Sequence, residues 1–265
     1  MLLLGARSAA AEPPRRILSL NLCTDQLVLA LADRAAIAGV TQLARDCRIS
    51  TMCAAAREVP EVRGTAEEVI AFHPDLVLAG QTGAGPAVAA ARRLGVPVLN
   101  LPAATTLDAI GQQITAVAAA LDRPGRGAEL AAAFAAGLAA LPPPPPGPPK
   151  VAAIYQPNGF LSGPGTLADA VLARAGLDNF ATRQHLGGDG SVPLEFLILH
   201  PPDFLVTDQP AAAPSLAEAM LWHPALRDAF TGRRVVVPAR DWICGSPATL
   251  DAVERLARAR IAAQR

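Results

Sequence analysis

The 265 residues carry 23 Lys and Arg against 23 Asp and Glu, a formal net charge of zero. A surface that neutralises phosphates is basic, so this balance excludes nucleic acid as the partner. Apolar residues make up 51% of the chain and charged residues 17%, which excludes disorder, and no apolar run approaches the ~18 residues of a membrane-spanning helix.

Taken in order, residues 1–14 (MLLLGARSAAAEPP) read either as a secretory signal whose basic start is missing or as an Ala-rich tail. A strand is expected at 17–20, then a loop and a helix beginning near Thr24. A second strand follows at 37–40. Thr65-x-x-Glu68 is a capping box that opens the next helix. A strand at 76–79, a helix at 86–94 and a strand at 96–101 come next. Two Ala-rich helices span 106–121 and 124–141, the second opened by a first-turn proline. The run PPPPPGPPK joins neither helix nor sheet and marks the sharpest boundary in the chain. The order then restarts with a strand at 151–154, a helix near Thr166, a helix at Glu195 and a strand at 204–206. A helix at 215–221, a strand at 234–238 and a helix from Ala248 complete it.

One phrase occurs twice. TAEEVIAFHPDLVLAG begins at Thr65 and PLEFLILHPPDFLVTD at Pro193, and an offset of 128 superposes Glu67 on Glu195, Pro74 on Pro202 and Asp75 on Asp203. Each copy is a short helix stopped by proline, with an Asp leading into a buried strand. Repetition half a chain apart implies two similar lobes, and alternating strands and helices imply parallel sheets covered on both faces. The expected fold is therefore α/β: two Rossmann-like lobes joined by a single long helix, with a ligand cleft between them. The N-terminal lobe is 15–123, the helix and Pro-rich spacer 124–149, and the C-terminal lobe 150–265.

RRILSLNLCTDQL, the two Glu-bearing phrases and VVVPARDW together make a pattern that resembles the periplasmic solute-binding proteins of ABC importers for cobalamin and ferric siderophores. The resemblance runs over essentially the whole chain. It implies a monomeric periplasmic protein that is not an enzyme and holds no cofactor. Its partners would be a metal chelate, either a corrinoid or a ferric siderophore, and a dimeric membrane permease. In that family one Glu per lobe docks onto permease arginines, and the matching residues are Glu67 and Glu195.

Ligand residues in such folds lie at the carboxyl ends of strands. That rule selects Asn21, Cys23 and Thr24 after the first strand, Arg45 after the second, and Gln81 and Thr82 after the third. In the second lobe it selects Asn158, Phe160, His185, Asp241, Trp242 and Cys244. Resemblance to the cobalamin binders supports Phe160 and Asp241 most directly. With two Trp and one Tyr the chain is poor in the aromatics that line cobalamin clefts, and Arg45 and Arg240 are the cations available to an anionic ferric complex.

The four cysteines leave several readings open. Cys47 and Cys53 are close enough to bridge a loop. Cys23 and Cys244 fall in cleft loops, where they would ligate a metal centre, bridge the lobes or remain buried thiols. The four histidines are too scattered for a zinc site, so no protein-ligated metal is expected. QTGAGP and SGPGT precede helices but complete no dinucleotide or Walker pattern. They leave one competing expectation, an intracellular two-lobed α/β enzyme with a nucleotide-derived cofactor.

Overall fold

The computed structural model describes residues 12–144, 146–186 and 190–263. The proposed signal segment therefore lies almost wholly outside the described residues. The first half builds β1 (Ile17–Ser19), α1 (Leu22–Leu31), β2 (Ile37–Thr41), α2 (Cys53–Ala56), β3 (Glu61–Val62), α3 (Ala66–Phe72), β4 (Leu76–Gly80), α4 (Gly85–Arg93) and β5 (Val98–Leu101). Its strands form one parallel sheet in the order β3-β2-β1-β4-β5. Helices α5 (Leu107–Ala120) and α6 (Pro124–Ala140) follow.

The second half contains β6 (Lys150–Ile154), β7 (Phe160–Leu161), α7 (Leu167–Arg174), β8 (Leu177–Asn179), α8 (Phe180–Arg183), β9 (Gly190–Ser191) and α9 (Leu194–Leu199). It ends with β10 (Phe204–Thr207), α10 (Leu216–Met220), α11 (Pro224–Ala229), β11 (Arg234–Val236) and α12 (Thr249–Ala262). The second parallel sheet runs β11-β10-β6-β8. The sequence reading missed β3, β8 and a short antiparallel ribbon, β7 with β9. Two-residue strands carry too little alternation to be read from sequence.

The repeated phrase does the same work in both halves. Asp75 accepts hydrogen bonds from the backbone N–H groups of Arg15 (2.7 Å) and Arg16 (3.0 Å), at the entry to β1. Asp203 accepts one from the Val151 N–H (2.7 Å) and pairs with Lys150 Nζ (3.3 Å), at the entry to β6. In each sheet the strand after the P-D pair lies beside the strand that its Asp holds. The capping box forms as expected, with the Thr65 hydroxyl accepting from Glu68 N–H and the Glu68 carboxylate from Thr65 N–H.

Strand alternation sorts the core. Ile17, Leu76, Leu78, Ala152, Ile154, Phe204 and Val206 point into one cluster shared with Ile114, Val117, Phe134, Val171 and Leu256 of the helices. Their neighbours Leu18, Val77 and Ala79 face a second cluster, and Ala153, Tyr155 and Leu205 a third. The inner faces of the two sheets thus share a core through α5, α6, α7 and α12.

Helix α6 has 17 residues, a length of ~26 Å at 1.5 Å per residue. It does not stand free between the halves. Gly127 lets it approach α5, since a Cβ there would fall 2.2 Å from Ala118 Cβ, and Gly137 lets α12 approach, since a Cβ would fall 2.5 Å from Leu250 Cδ1. Its last carbonyls are satisfied from α7: the Arg174 guanidinium donates to Leu138 O (2.9 Å), Leu141 O (2.9 Å) and Pro142 O (3.0 Å).

Candidate functional site

Both sheets reverse strand order beside their first strand, between β1 and β4 and between β6 and β10, where loops diverge and leave a crevice at the carboxyl ends. Two adjoining cavities occupy it. The smaller, ≈ 200 Å³, lies against the first sheet, and the larger, ≈ 610 Å³, against the second. Ala103, Ala104 and Ile243 line both. The larger one falls within the size range of small-molecule sites, roughly 300–1,000 Å³.

The smaller cavity is built around the β1–α1 turn. Asn21 caps α1 by accepting from Cys23 N–H (2.9 Å). Gly80, at the end of β4, makes room for it: a Cβ there would sit 2.8 Å from Asn21 Nδ2. Thr24 is buried, donating to Asn21 O (2.9 Å) and sharing a hydrogen bond with the Ser19 hydroxyl (2.7 Å). Gln81 and Thr82 line the cavity from the loop after β4. Gln113 of α5 holds the loop after β5 by donating to Pro102 O (2.8 Å).

In the larger cavity Gln156 Nε2 donates to Ser162 Oγ (2.6 Å), and Phe160 and Trp242 supply aromatic surface. Asp208, at the end of β10, accepts from Gln209 N–H (2.7 Å) and Ala239 N–H (2.9 Å), which fixes the 239–245 segment beside it. The Thr207 hydroxyl is buried and has no hydrogen-bond partner among the described residues.

The cysteines are paired, which overturns the free-thiol and metal-ligand readings. Cys23 and Cys244 form a disulfide across the crevice, linking residues 221 apart in sequence with Cα atoms 5.1 Å apart. Cys47 and Cys53 close a short loop, also with Cα atoms 5.1 Å apart. That loop reaches the second half. Arg48 O accepts from Arg240 N–H (3.2 Å), Cys47 O accepts from the Arg240 guanidinium (3.3 Å), and Arg48 pairs with Glu218 (3.9 Å).

Asn21, Cys23, Thr24, Gln81, Phe160, Trp242 and Cys244 are thus brought together, though the two cysteines contribute as a disulfide. Four expected residues are not among the described lining residues. The Arg45 guanidinium is committed to Glu61 (2.8 Å) and to the carbonyls of Val59 (2.9 Å) and Ala56 (3.3 Å). Asn158 and His185 are exposed at left-handed turn positions, with φ of 61° and 55°. Asp241 is buried between Arg240 and Arg255, each 3.7 Å away, and burial raises its pKa against their attraction.

Sequence reasoning missed Gln113, Gln156, Thr207, Asp208 and the Ala103–Ala104 segment. The strand-end rule, applied to β5 and β10, would have found three of these positions: Ala103, Ala104 and Asp208. Glu67 and Glu195 are exposed, each in the first turn of its helix and apart from both cavities. Its own backbone N–H and the Thr65 hydroxyl hold the Glu67 carboxyl below the usual range.

The family described as "Periplasmic binding protein" matches residues 17–234. A curated relative, the cobalamin-binding protein of Halobacterium salinarum, is 26% identical over 201 residues, or 73% of this chain and 54% of the relative. The chain therefore spans about half the length of that relative. Among solved structures, the periplasmic heme-binding protein RhuT of Roseiflexus sp. RS-1, in apo form, matches with a TM-score of 0.77 and 24% identity over 95% of this chain and 99% of that one. The periplasmic vitamin B12 binding protein BtuF of Vibrio cholerae matches with a TM-score of 0.73 and 21% identity over 96% and 99%. At these identities the two structures show a shared fold.

Proposed function

The chain belongs to the periplasmic binding protein family, and from that premise we propose that it is the extracytoplasmic substrate-binding component of an ABC importer. The proposed ligand is a metal chelate, a corrinoid or a ferric siderophore, taken up between lobes 15–123 and 150–265 and delivered to a membrane permease. The observation that carries this reading is the crevice itself. Two parallel sheets present their carboxyl ends to one cleft, amides and aromatics line it, and no group of three or more His, Cys, Asp or Glu among the described residues is placed to hold a bare ion. The names of the Halobacterium and Vibrio relatives support a corrinoid.

Titrating the protein with corrinoids, haem and ferric siderophores, with tryptophan fluorescence as readout, tests the substrate class. Trp242 lines the larger cavity and is expected to report binding. Failure of every chelate to bind contradicts the reading.

Glu67 and Glu195 are the proposed docking carboxylates. They sit at equivalent positions of the repeated phrase, exposed and clear of the crevice. Truncating one side of a desolvated charge pair costs roughly 2–5 kcal/mol. Glu67→Ala and Glu195→Ala are therefore expected to leave ligand affinity unchanged while each lowers uptake through the cognate permease about tenfold or more. Unchanged uptake in the double variant contradicts the docking role.

A further inference from the structure

We infer that the crevice selects an electrically neutral, coordinatively saturated metal chelate whose rim carries amide-type donors and acceptors, and that it discriminates against chelates bearing carboxylates. The inference rests on the chelate-binding reading above and narrows its ligand.

Charge is the first argument. No Lys, Arg or His is among the described residues lining either cavity, and the one described carboxyl residue is Asp208, in the larger. The cations of the flanking loops already have partners. Arg45 is held by Glu61 (2.8 Å), Arg48 by Asp46 (2.8 Å), and Arg240 by Cys47 O (3.3 Å) and Asp241 (3.7 Å). A carboxylate brought into this crevice loses water and meets no Lys, Arg or His among the described lining residues, which costs free energy that a neutral amide does not incur. Asp208, already holding two backbone N–H groups in place, adds like-charge repulsion.

The second argument is what the lining offers instead. Asn21, Gln81, Gln113 and Gln156 line the crevice with carboxamides from the strand ends and α5, and although Asn21 Oδ1, Gln113 Nε2 and Gln156 Nε2 already hold protein partners, each amide keeps further donor or acceptor capacity. The Thr207 hydroxyl, on a residue 1% exposed and lining the larger cavity, has no hydrogen-bond partner among the described residues. Leaving such a group unmatched costs about 1–3 kcal/mol, and a ligand amide would satisfy it.

Coordination is the third. The lining sulfurs are joined in the Cys23–Cys244 disulfide, and Tyr155, buried, donates its hydroxyl to Val192 O (3.1 Å). These groups offer no axial ligand, so a chelate with a complete coordination sphere forgoes no thiolate, phenolate or imidazole bond among the described lining residues.

Calorimetry with two matched pairs tests this. One pair is an amidated corrinoid, dicyanocobinamide, against dicyanocobyrinic acid, which has free carboxylates. The other is a neutral ferric trihydroxamate against an anionic ferric tris-catecholate. The neutral member of a pair that binds is expected to bind at least about 100-fold more tightly, a difference in which buried charge is decisive. Asp208→Asn is expected to shrink the ratio, and Thr207→Val to weaken the neutral ligand about tenfold. Equal or tighter binding of the anionic member overturns the charge inference and leaves the chelate reading standing. No binding by any of the four overturns both.

Discussion

Replacing Cys23 and Cys244 together by alanine is expected to lower the unfolding free energy by about 5 kcal/mol. The bridge closes a loop of 221 residues, and closure entropy grows with the logarithm of loop length. Removing the Cys47–Cys53 bridge, which spans 6 residues, costs about 2 kcal/mol by the same relation. The contrast matters more than either value. Denaturant titration of both double variants, without reductant, checks it, and equal losses would contradict the assignment of the long bridge. The same bond has a functional consequence. The sheets already share a core through α5, α6, α7 and α12, and a covalent tie across the crevice restricts the opening that remains. The 23–244 variant is therefore expected to exchange amide hydrogens faster in residues 239–245 than the parent does.

Asp25→Asn is expected to stabilise the protein at pH 8 by up to about 4 kcal/mol and to leave it nearly unchanged near pH 4. Asp25 is buried in the first turn of α1, and burial pushes its carboxyl up to about 7 against hydrogen bonds from Ser19 and Thr41. A folded-state pKa above the unfolded value means that the native protein binds the proton more tightly. Stability from this group is then full below the unfolded value of about 3.8 and is lost as pH rises to about 7. Every tenfold gain in proton affinity on folding is worth about 1.4 kcal/mol, which sets the upper limit. An asparagine keeps an acceptor for Thr41 N–H and carries no charge. Denaturant midpoints of parent and variant between pH 4 and pH 8 isolate the effect, and a pH-independent difference would contradict it.

What was legible in the chain was local chemistry and repetition. The Thr65–Glu68 capping box, the strands on either side of the proline run and the matched Asp75 and Asp203 follow from short-range pattern. The placement of Asn21, Thr24, Gln81, Phe160 and Trp242 at the crevice was legible too, because a strand end can be located from one segment and the strand-end rule does the rest. What failed needed knowledge of distant neighbours. Arg45 looks available in sequence, but β3, too short to show alternation, carries the Glu61 that claims it. Asp241 looks like a cleft acid, but Arg255 of α12 reaches it from the last helix and it is buried. The Cys23–Cys244 bridge was one of the readings that the sequence left open, and only the juxtaposition of the two halves selects it. Thr207 and Asp208 stood in the repeated phrase, just past the strand expected at 204–206, and the strand-end rule was not applied to them. That position is where such folds place their ligand contacts.

Ala103 is exposed and lines both cavities, so a bulky residue there fills the crevice without disturbing the core. Whether the ligand sits in this crevice is decided by the calorimetric affinity of Ala103→Trp for a neutral corrinoid that the parent binds, read beside the variant's denaturation midpoint. Occlusion of the ligand site predicts a loss of at least about 100-fold, near 3 kcal/mol, with the midpoint preserved. Full affinity in a folded variant would place the ligand elsewhere and contradict a binding site between the two sheets.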